Sequence, residues 1–361
     1  MKGTTISAVM LVGAALLTLA CGGDGGGDSE TATPATTAGS SVPGELPDAF
    51  LLYRVASGDM VAQNLATGES YTQSVNPNEE VLVTAQCTPD GSRIAYLKQN
   101  FDETTRQLVV RGRDALAEPL SLPSTTQNVG WSPDGTRLAV ADYDGFESIH
   151  TISVLDIASG ETTELTSGRD FAGSLAWSPD GERIAYYLQR VSDGATDIFA
   201  VAAEGGEPEQ LTPEGDTPWY DADWAPDGSG LLVAGLLGEV FQLFKLDPET
   251  GDTTQITDSD IFKRGAEYSP DGSLIAYTGS IILPAVASYV DSAALHSFGI
   301  FLLNSDGSNE RAFTADPRQN PGAAVDPFLD AYLMGWCSPG PWLDDLWTSG
   351  APETPAPAAT P

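Results

Sequence analysis

The chain has 361 residues and a large excess of acid, since 51 aspartates and glutamates stand against 16 lysines and arginines and give a net charge of −35. Such a field repels nucleic acid and anionic lipid headgroups, so neither is expected as a partner. The two histidines, His150 and His296, are too few for zinc sites built on several imidazoles. No motif indicates a cofactor or a resident metal.

The amino terminus has the pattern of an export signal. Lys2 precedes an apolar run from Ile6 to Ala20, which is too short for a comfortable membrane span. The run ends at Leu17-Thr18-Leu19-Ala20-Cys21, which resembles the lipobox of bacterial lipoproteins. The resemblance implies that residues 1–20 are a signal peptide and that Cys21 carries a lipid. The alternative is an ordinary signal peptide that is cleaved elsewhere.

Low-complexity segments flank the predicted folded domain. Between Gly22 and Pro47 the chain is glycine, serine, threonine, alanine, proline and acid, with almost nothing to bury. We assign 21–47 to the lipidated cysteine and a disordered linker, 48–347 to the folded domain, and 348–361 to a disordered tail. The expected location is the cell envelope, lipid-anchored to the membrane and facing outside the cytoplasm, whether extracellular or periplasmic.

A short motif recurs through the folded domain: an aromatic residue or cysteine, then Ser/Thr/Ala-Pro-Asp-Gly. Proline presets the first central position of a turn, aspartate bonds nearby backbone, and glycine supplies the left-handed residue that closes a type I turn with a bulge. Each copy therefore predicts a hairpin corner. The copies are Cys87–Gly91, Trp131–Gly135, Trp177–Gly181, Trp224–Gly228 and Tyr268–Gly272, and a degraded sixth is Trp336–Gly340.

The residues around each corner predict four strands per repeat. An alternating apolar run follows the motif, as in Arg93-Ile94-Ala95-Tyr96. A second tight turn with small polar residues before a glycine comes later, as at Asn64–Glu69 and Asp156–Glu161. A unit then ends on an apolar residue and threonine, as at Leu165-Thr166.

The period of the motif indicates the architecture. The first five copies start 44 to 47 residues apart, and the sixth starts 68 residues after the fifth. Periods in the forties with four antiparallel strands are typical of β-propeller blades. We therefore predict an all-β, six-bladed β-propeller of four-stranded antiparallel blades. Too little chain follows Trp336 to complete a blade, so strands formed by Phe50–Val55 and Asp59–Gln63 are expected to pair in the carboxy-terminal blade and close the ring.

The motif followed by an Ile-Ala-Tyr-type strand resembles the repeat of TolB-like propellers and of the propeller domains in dipeptidyl peptidase IV and prolyl oligopeptidase relatives. The resemblance covers roughly residues 50–346 and implies a propeller fold. The peptidase relatives add a hydrolase domain with a Gly-x-Ser-x-Gly turn, and this sequence lacks that motif. A serine-hydrolase activity is therefore not expected.

Two further cysteines stand at the first and sixth corners. Cys87 replaces the motif aromatic, and Cys337 follows the motif aromatic. If the ring closes as predicted, these corners belong to neighbouring blades, where an exported protein can keep a disulfide. The offset of the two positions favours two buried, reduced cysteines, because their Cα atoms would have to lie within about 7 Å for a bond. A disulfide that locks the closure is the alternative.

The two faces of the ring differ in their connections. Corners after the first and third strands are short and stereotyped and define one side, the turn face. Connections after the second and fourth strands are dissimilar and define the variable-loop face, where binding residues are expected. Aromatic, arginine and acidic side chains there are typical of recognition surfaces. The candidate ligand- or partner-binding residues are Arg169, Asp170, Phe171, Trp219, Tyr220, Asp221, Lys263 and Arg264. For each of the aromatics, capping of the core between blades is an equal alternative.

Other features select no chemistry. Residues 278–298 depart from the repeat and contain an apolar segment, which favours packing on the rim over a lid. Three aspartate pairs two residues apart could contribute to a calcium site, but none has EF-hand spacing. Nothing in their spacing selects a glycosidase pair either. The pairs are Asp142/Asp144, Asp221/Asp223 and Asp258/Asp260.

These observations favour a membrane-tethered extracytoplasmic propeller that acts as a noncatalytic protein-binding or scaffold module. One alternative is a solute or glycan receptor that uses the variable-loop face, with a funnel lined by Trp219, Tyr220 and Arg169. Another is a propeller enzyme such as a hydrolase or lyase. The expected partner is an envelope protein or a small extracytoplasmic ligand.

Overall fold

Each sequence repeat forms one antiparallel sheet, because its alternating apolar runs are separated by residues that favour tight turns. A computed structural model of the protein describes residues 46–55, 59–73, 80–100, 105–112, 119–123, 126, 128–144, 149–213, 215–282, 296–314 and 332–340. Within these ranges, 24 strands form six sheets of four strands. The all-β prediction is therefore confirmed.

We number the sheets as blades and give their strands from the innermost outward. Blade 1 contains Glu80–Cys87, Arg93–Asn100, Thr105–Gly112 and Leu120–Pro123. Blade 2 contains Asn128–Trp131, Arg137–Asp144, Ile149–Asp156 and Thr162–Gly168. Blade 3 contains Phe171–Trp177, Arg183–Gln189, Thr196–Ala202 and Glu209–Gln210.

The remaining blades repeat the same order. Blade 4 contains Trp219–Trp224, Leu231–Leu237, Val240–Leu246 and Thr253–Gln255. Blade 5 contains Phe262–Tyr268, Leu274–Ile282, His296–Asn304 and Arg311–Ala312. Blade 6 contains Tyr332–Cys337, Phe50–Arg54, Met60–Asn64 and Ser70–Gln73.

The two ends of the domain meet in blade 6. Leu51 lies opposite Trp336, and Leu52 lies opposite Gly335, in an antiparallel pairing of the first strand with the last. The innermost strands of successive blades contact one another around the whole circle, and the strand of blade 6 also contacts that of blade 1. The predicted closure by the amino-terminal strands is therefore confirmed.

The Pro-Asp-Gly corner of blade 3 shows how the motif folds. Ser178 Oγ accepts the backbone N–H of Arg183 at 2.9 Å, and Asp180 Oδ1 accepts the N–H of Glu182 at 2.9 Å. Hydrogen bonds from Ser178 and Glu182 lower the pKa of the Asp180 carboxyl. Gly181 has φ of +75°, the left-handed conformation that the motif predicts.

Neighbouring blades are joined by a repeated hydrogen bond from the motif tryptophan. The indole Nε1 of Trp131 donates to the carbonyl oxygen of Gln86 at 3.1 Å, and that of Trp177 donates to Gly130 at 2.9 Å. Trp336 likewise donates to Glu267 at 3.2 Å. In each case the acceptor lies just before the motif position of the preceding blade.

The hydrophobic core lies between the blades. Each of the six interfaces between described blades has its own cluster of buried residues. Between blades 6 and 1, for example, Leu52 and Ile94 are fully buried. Full burial of such a side chain contributes about 1.5–3 kcal/mol, so side-by-side blade contact is the main source of stability.

The structure contradicts the expectation of two reduced cysteines. Cys87 and Cys337 form a disulfide with their Cα atoms 5.2 Å apart. The offset in sequence does not separate them, because the corners of blades 1 and 6 interlock: Ser338 Oγ donates to the carbonyl oxygen of Pro89 at 2.9 Å. The disulfide occupies the position where blades 2, 3 and 6 place a tryptophan and its indole hydrogen bond.

Part of the departure from the repeat is a longer hairpin in blade 5. Residues 278–282 continue its second strand, and residues 296–298 begin its third, paired at Ile282 with His296. Residues 283–295 lie outside the described residues, as do the predicted signal peptide, Cys21, the linker up to residue 45 and the tail. The predicted domain boundaries at these segments stay predictions.

Candidate functional site: the central cavity and the variable-loop face

The innermost strands surround a central cavity of about 390 Å³ that opens on the turn face. Its mouth is formed by the prolines of the repeated corners, Pro89, Pro133, Pro179, Pro226 and Pro270. Its walls include the motif aromatics Trp131, Trp177, Trp224, Tyr268 and Trp336. The sequence predicted a funnel on the opposite face, and none of the eight predicted binding residues lines this cavity.

β-Bulges interrupt the innermost strands of blades 3, 4 and 5 at the same position, three residues before the motif aromatic. Ser174, Asp221 and Gly265 occupy this position with φ of +56°, +50° and +57°. A bulge redirects the side chains beside it, and non-glycine residues in this conformation carry backbone strain. The Asp221 carboxylate holds the next blade by accepting the Gly265 N–H at 2.8 Å.

Two carboxyl groups that influence each other electrostatically lie on the neighbouring innermost strands of blades 4 and 5. Asp223 and Glu267 both stand immediately before the motif aromatic, and both line the cavity. Asp223 Oδ2 accepts the backbone N–H of Tyr268 at 2.7 Å. Both side chains are half-buried, because the cavity reaches them although protein surrounds them on the other sides.

The environment favours the protonated form of this pair. Burial raises the pKa of Asp223 to about 7, against the lowering effect of the N–H groups of Tyr268 and Trp224. Burial, together with the charges of Asp223 and Asp221, raises the pKa of Glu267 well above its usual range. Near neutral pH the pair therefore holds at least one proton between two carboxyl groups.

The tryptophan beside this pair lacks the bond that its equivalents make. Trp224 is 5% exposed, and its Nε1 is buried without a hydrogen-bond partner. Arg183 stacks on the ring with its guanidinium carbon 5.2 Å from the centroid, as Arg137 does on Trp177 at 4.8 Å. Trp224 therefore has a buried, unpartnered donor within the cluster of side chains between blades 3 and 4.

On the variable-loop face, the structure separates the predicted residues into buried and accessible ones. Trp219 is 5% exposed and packs edge-on against Phe244, with ring centroids 5.0 Å apart. Lys263 is fully buried, and its Nζ donates to Ser259 Oγ and to the carbonyl oxygen of Ile261, both at 2.8 Å. These two side chains therefore fill the core and offer no surface to a partner.

The other predicted residues lie together near blades 3, 4 and 5. Asp170 anchors a neighbouring hairpin by accepting the Val191 N–H at 2.9 Å, and Arg169 is exposed. Arg264 lies 5.3 Å from the ring centroid of Tyr220 and pairs with the Asp221 carboxylate at 3.5 Å. The contacts of Arg264 join a basic, an aromatic and an acidic group of this face into one network.

A continuous band of rings runs through this network across blades 2 to 5. Successive members have centroids 4.6 to 5.9 Å apart. The aromatic band consists of His150, Phe171, Tyr187, Tyr220, Phe241 and Phe262. Burial, with the charge of Asp221 as a further cause, raises the pKa of Tyr187 far above its usual range.

Exposed apolar side chains lie on the same face of the ring as the aromatic band. Among the described residues, the large hydrophobic side chains that stand in solvent are Val191, 71% exposed, and Leu237, 42% exposed. Both belong to hairpins between second and third strands, so both are on the variable-loop face. This side of the ring therefore offers apolar, aromatic and guanidinium groups to a partner.

Sequence reasoning did not find the Asp223–Glu267 pair. The sequence showed Asp221 and Asp223 two residues apart, but this spacing did not indicate a calcium site. The described residues contain no group of three or more His, Cys, Asp or Glu placed to hold a metal. The signal that could have identified the pair is the position before the motif aromatic, which is acidic in two consecutive blades.

In the described part of the chain, no helix is long and apolar enough to cross a membrane.

Known proteins share this repeat. An uncharacterized protein of Agrobacterium fabrum is 27% identical over 158 residues, which cover 44% of this chain and 52% of that protein. An uncharacterized peptidase of Bacillus subtilis is 30% identical over 154 residues, which cover 39% of this chain and 21% of that protein. The match thus spans about half or less of the length of these curated relatives.

The same fold occurs in solved structures. TolB from Acinetobacter baumannii superposes with a TM-score of 0.59 at 15% identity, over 80% of this chain and 66% of that one. The family described as the TolB beta propeller domain matches residues 63–312, which is more than half of this chain. The chain therefore belongs to the TolB beta propeller domain family.

Proposed function

We propose that the protein is a noncatalytic binding module, tethered outside the cytoplasm by a lipid on Cys21, which holds a protein partner on its variable-loop face. The observation that carries the proposal is the placement of exposed Val191 and Leu237 on the same face of the ring as the aromatic band and Arg264. Aromatic residues and arginine are enriched at the energetic centres of protein interfaces.

The surroundings of Arg264 suit such an interface. Its side chain is 41% exposed, while Tyr220 and Phe241 support it from below at 5.3 and 5.4 Å. A guanidinium that is held in place loses less conformational entropy when it binds. The Asp221 carboxylate fixes its orientation, so a partner carboxylate or backbone carbonyl can be met by a prepared donor.

The tether is supported by the sequence alone. An apolar run that ends on Cys21, followed by a glycine-rich and threonine-rich segment, is typical of a lipid-anchored protein with a flexible linker. A propeller on such a linker can search for a partner above the membrane without spanning it. Mass spectrometry of the amino-terminal peptide tests this part, because a free Cys21 thiol in the membrane-bound protein would contradict it.

Affinity capture of the full-length protein from the envelope of its producing cells tests the docking face. Wild type is compared with the double variant Val191→Asp, Leu237→Asp, which places charge on the apolar patch without touching the core. Ala202→Asp is the matched control, because Ala202 is exposed at the end of a strand on the turn face.

The expected result is a protein captured by wild type and by Ala202→Asp and reduced at least tenfold for the double variant. Equal capture by all three proteins would contradict docking on the variable-loop face. A partner lost with Ala202→Asp but kept with the double variant would place the interface on the turn face instead.

A further inference from the structure

We propose that the central cavity binds an organic cation, a primary ammonium or guanidinium group, between the carboxyl groups of Asp223 and Glu267. This site goes beyond the proposed protein docking, because it opens on the turn face of the ring and shares no residue with the aromatic band. One proton leaves the carboxyl pair for solvent as the cation enters, so the charge in the cavity stays balanced.

The carboxyl pair has no cation of its own among the described residues. No described lysine or arginine lies within ion-pair distance of Asp223 or Glu267, whereas Asp221 is paired with Arg264. Carboxylates that are partly buried without a counter-ion cost free energy. When both carboxyl groups are ionised, the site therefore lacks a positive charge. A bound cation supplies the missing positive charge.

The groups packed around the pair do not supply that charge either. Blade 4 adds the Asp221 carboxylate, and blade 5 adds the Tyr268 phenol, whose pKa burial raises to about 12. The innermost strand of blade 3, Phe171–Trp177, has no titratable side chain. Across the cavity, Cys87 and Cys337 are held in the disulfide and do not titrate. Acidic groups therefore set the charge of the site.

The cavity has the size and the walls for one small group. Its volume of about 390 Å³ lies at the small end of the range for ligand pockets, and four tryptophans are among the residues that line it. Aromatic walls with a carboxylate are a recurring environment for ammonium groups.

The route into the cavity also favours cations. The motif aspartates form a ring of exposed carboxylates on the turn face, and these are Asp90, Asp134, Asp180, Asp227 and Asp271. Hydrogen bonds from Ser229 lower the pKa of Asp227, as those from Ser178 and Glu182 lower that of Asp180. A ring of acidic side chains of this kind concentrates cations at the mouth.

Isothermal titration calorimetry on the full chain tests the proposal with n-butylammonium as the probe and n-butanol as its neutral isostere. We expect saturable binding of one n-butylammonium and no measurable binding of n-butanol. Protons compete for the site, so affinity should weaken as the pH falls from 8 to 6. Two buffers of different ionisation enthalpy should report up to one proton released per cation bound.

Glu267→Gln keeps the shape of the side chain and should weaken n-butylammonium binding at least tenfold, with a folded state verified by its thermal transition. The double variant on the variable-loop face should bind the probe as wild type does, which separates this site from the docking surface. A blocked peptide, acetyl-Gly-Lys-Gly-amide, tested alongside, distinguishes a protein side chain from a free amine as the natural source.

Equal binding of n-butanol and n-butylammonium to wild type would overturn the proposal without any variant. Unchanged affinity for the cation in both Glu267→Gln and Asp223→Asn, each shown to be folded, would overturn it as well. Failure of the docking experiment leaves these outcomes unaffected, because the two sites lie on opposite faces.

Discussion

Cys87 and Cys337 are joined by a disulfide across 250 residues of sequence, between the innermost strands of blades 1 and 6. In blades 2, 3 and 6 the motif tryptophan holds the preceding blade through an indole hydrogen bond. Blade 1 has Cys87 at this position, and a covalent bond replaces the hydrogen bond. The disulfide therefore lies at the junction where the first and last parts of the domain meet.

Removal of this bond should destabilise the ring. Cys337→Ser releases a closed loop of 250 residues, and the loss of chain entropy on closing a loop of this length is worth about 5 kcal/mol at most. Chemical denaturation of the variant without reductant is expected to give a lower midpoint than wild type. Wild type with reductant serves as the control and should match the variant, whereas a variant as stable as oxidised wild type would show that the bond contributes nothing.

Gly181→Val should destabilise the protein by about 1–3 kcal/mol, because a β-branched side chain is forced into a left-handed backbone position. The matched control is Gly168→Val, since Gly168 has no positive φ and no atom within 4 Å of an added Cβ. Its effect should stay within about 0.5 kcal/mol. Thermal unfolding compares the two, and equal loss in both would contradict the assignment of the corner.

The motif tryptophans offer a second matched pair. Trp177→Phe removes the hydrogen bond to Gly130 and leaves a buried carbonyl without its donor, at a cost of about 1–2 kcal/mol. Trp224→Phe removes an indole whose Nε1 has no partner, so the loss should be smaller. An arginine stacks on each of the two rings, so the two variants differ mainly in the indole hydrogen bond. An equal or reversed order in urea denaturation would count against the proposed role of the indole bond.

The carboxyl pair predicts an unusual dependence of stability on pH. The folded pKa of Asp223 is raised to about 7 and that of Glu267 is raised too, so the folded state binds protons that the unfolded state has released. This contribution is complete below the unfolded pKa of about 4 and is lost as the pH rises through about 7. Wild type should therefore lose stability between pH 5 and pH 8.

Glu267→Gln should flatten that dependence, because the amide cannot ionise and the contribution of the raised Glu267 pKa is removed. The measurement is the free energy of unfolding at pH 5, 6, 7 and 8 for wild type and variant. Asp258→Asn removes an exposed carboxylate outside the cavity and should leave the wild-type slope in place. A slope that is the same in all three proteins would contradict a shared proton in the cavity.

The sequence predicted the fold closely because the repeated corner is a local feature. Proline, aspartate and glycine in the motif determine a turn without help from the rest of the chain, as the contacts of Ser178 and Asp180 show. The period then determined the number of blades, and the incomplete unit after Trp336 revealed the closure. The disulfide was harder to predict, because the distance between Cys87 and Cys337 depends on how two blades interlock.

The site was less predictable, because it depends on three-dimensional position. Trp219 and Lys263 have residue types that are common on recognition surfaces, yet both are buried. Trp219 lies in the cluster between blades 3 and 4, and Lys263 is held by Gln242 of blade 4 and by Ser259. The Asp223–Glu267 pair is 44 residues apart in the chain and becomes adjacent only when neighbouring innermost strands meet. These two acidic residues can be recognised as a pair only when the strands that line the cavity are known.

Peptide mapping of the unreduced protein by mass spectrometry is the sharpest test of the closed ring. We expect one cross-linked peptide pair that contains Cys87 and Cys337 and disappears on reduction. Complete alkylation of both thiols after denaturation without reductant would contradict the contact between blades 1 and 6 on which the ring, its cavity and the carboxyl pair within it depend.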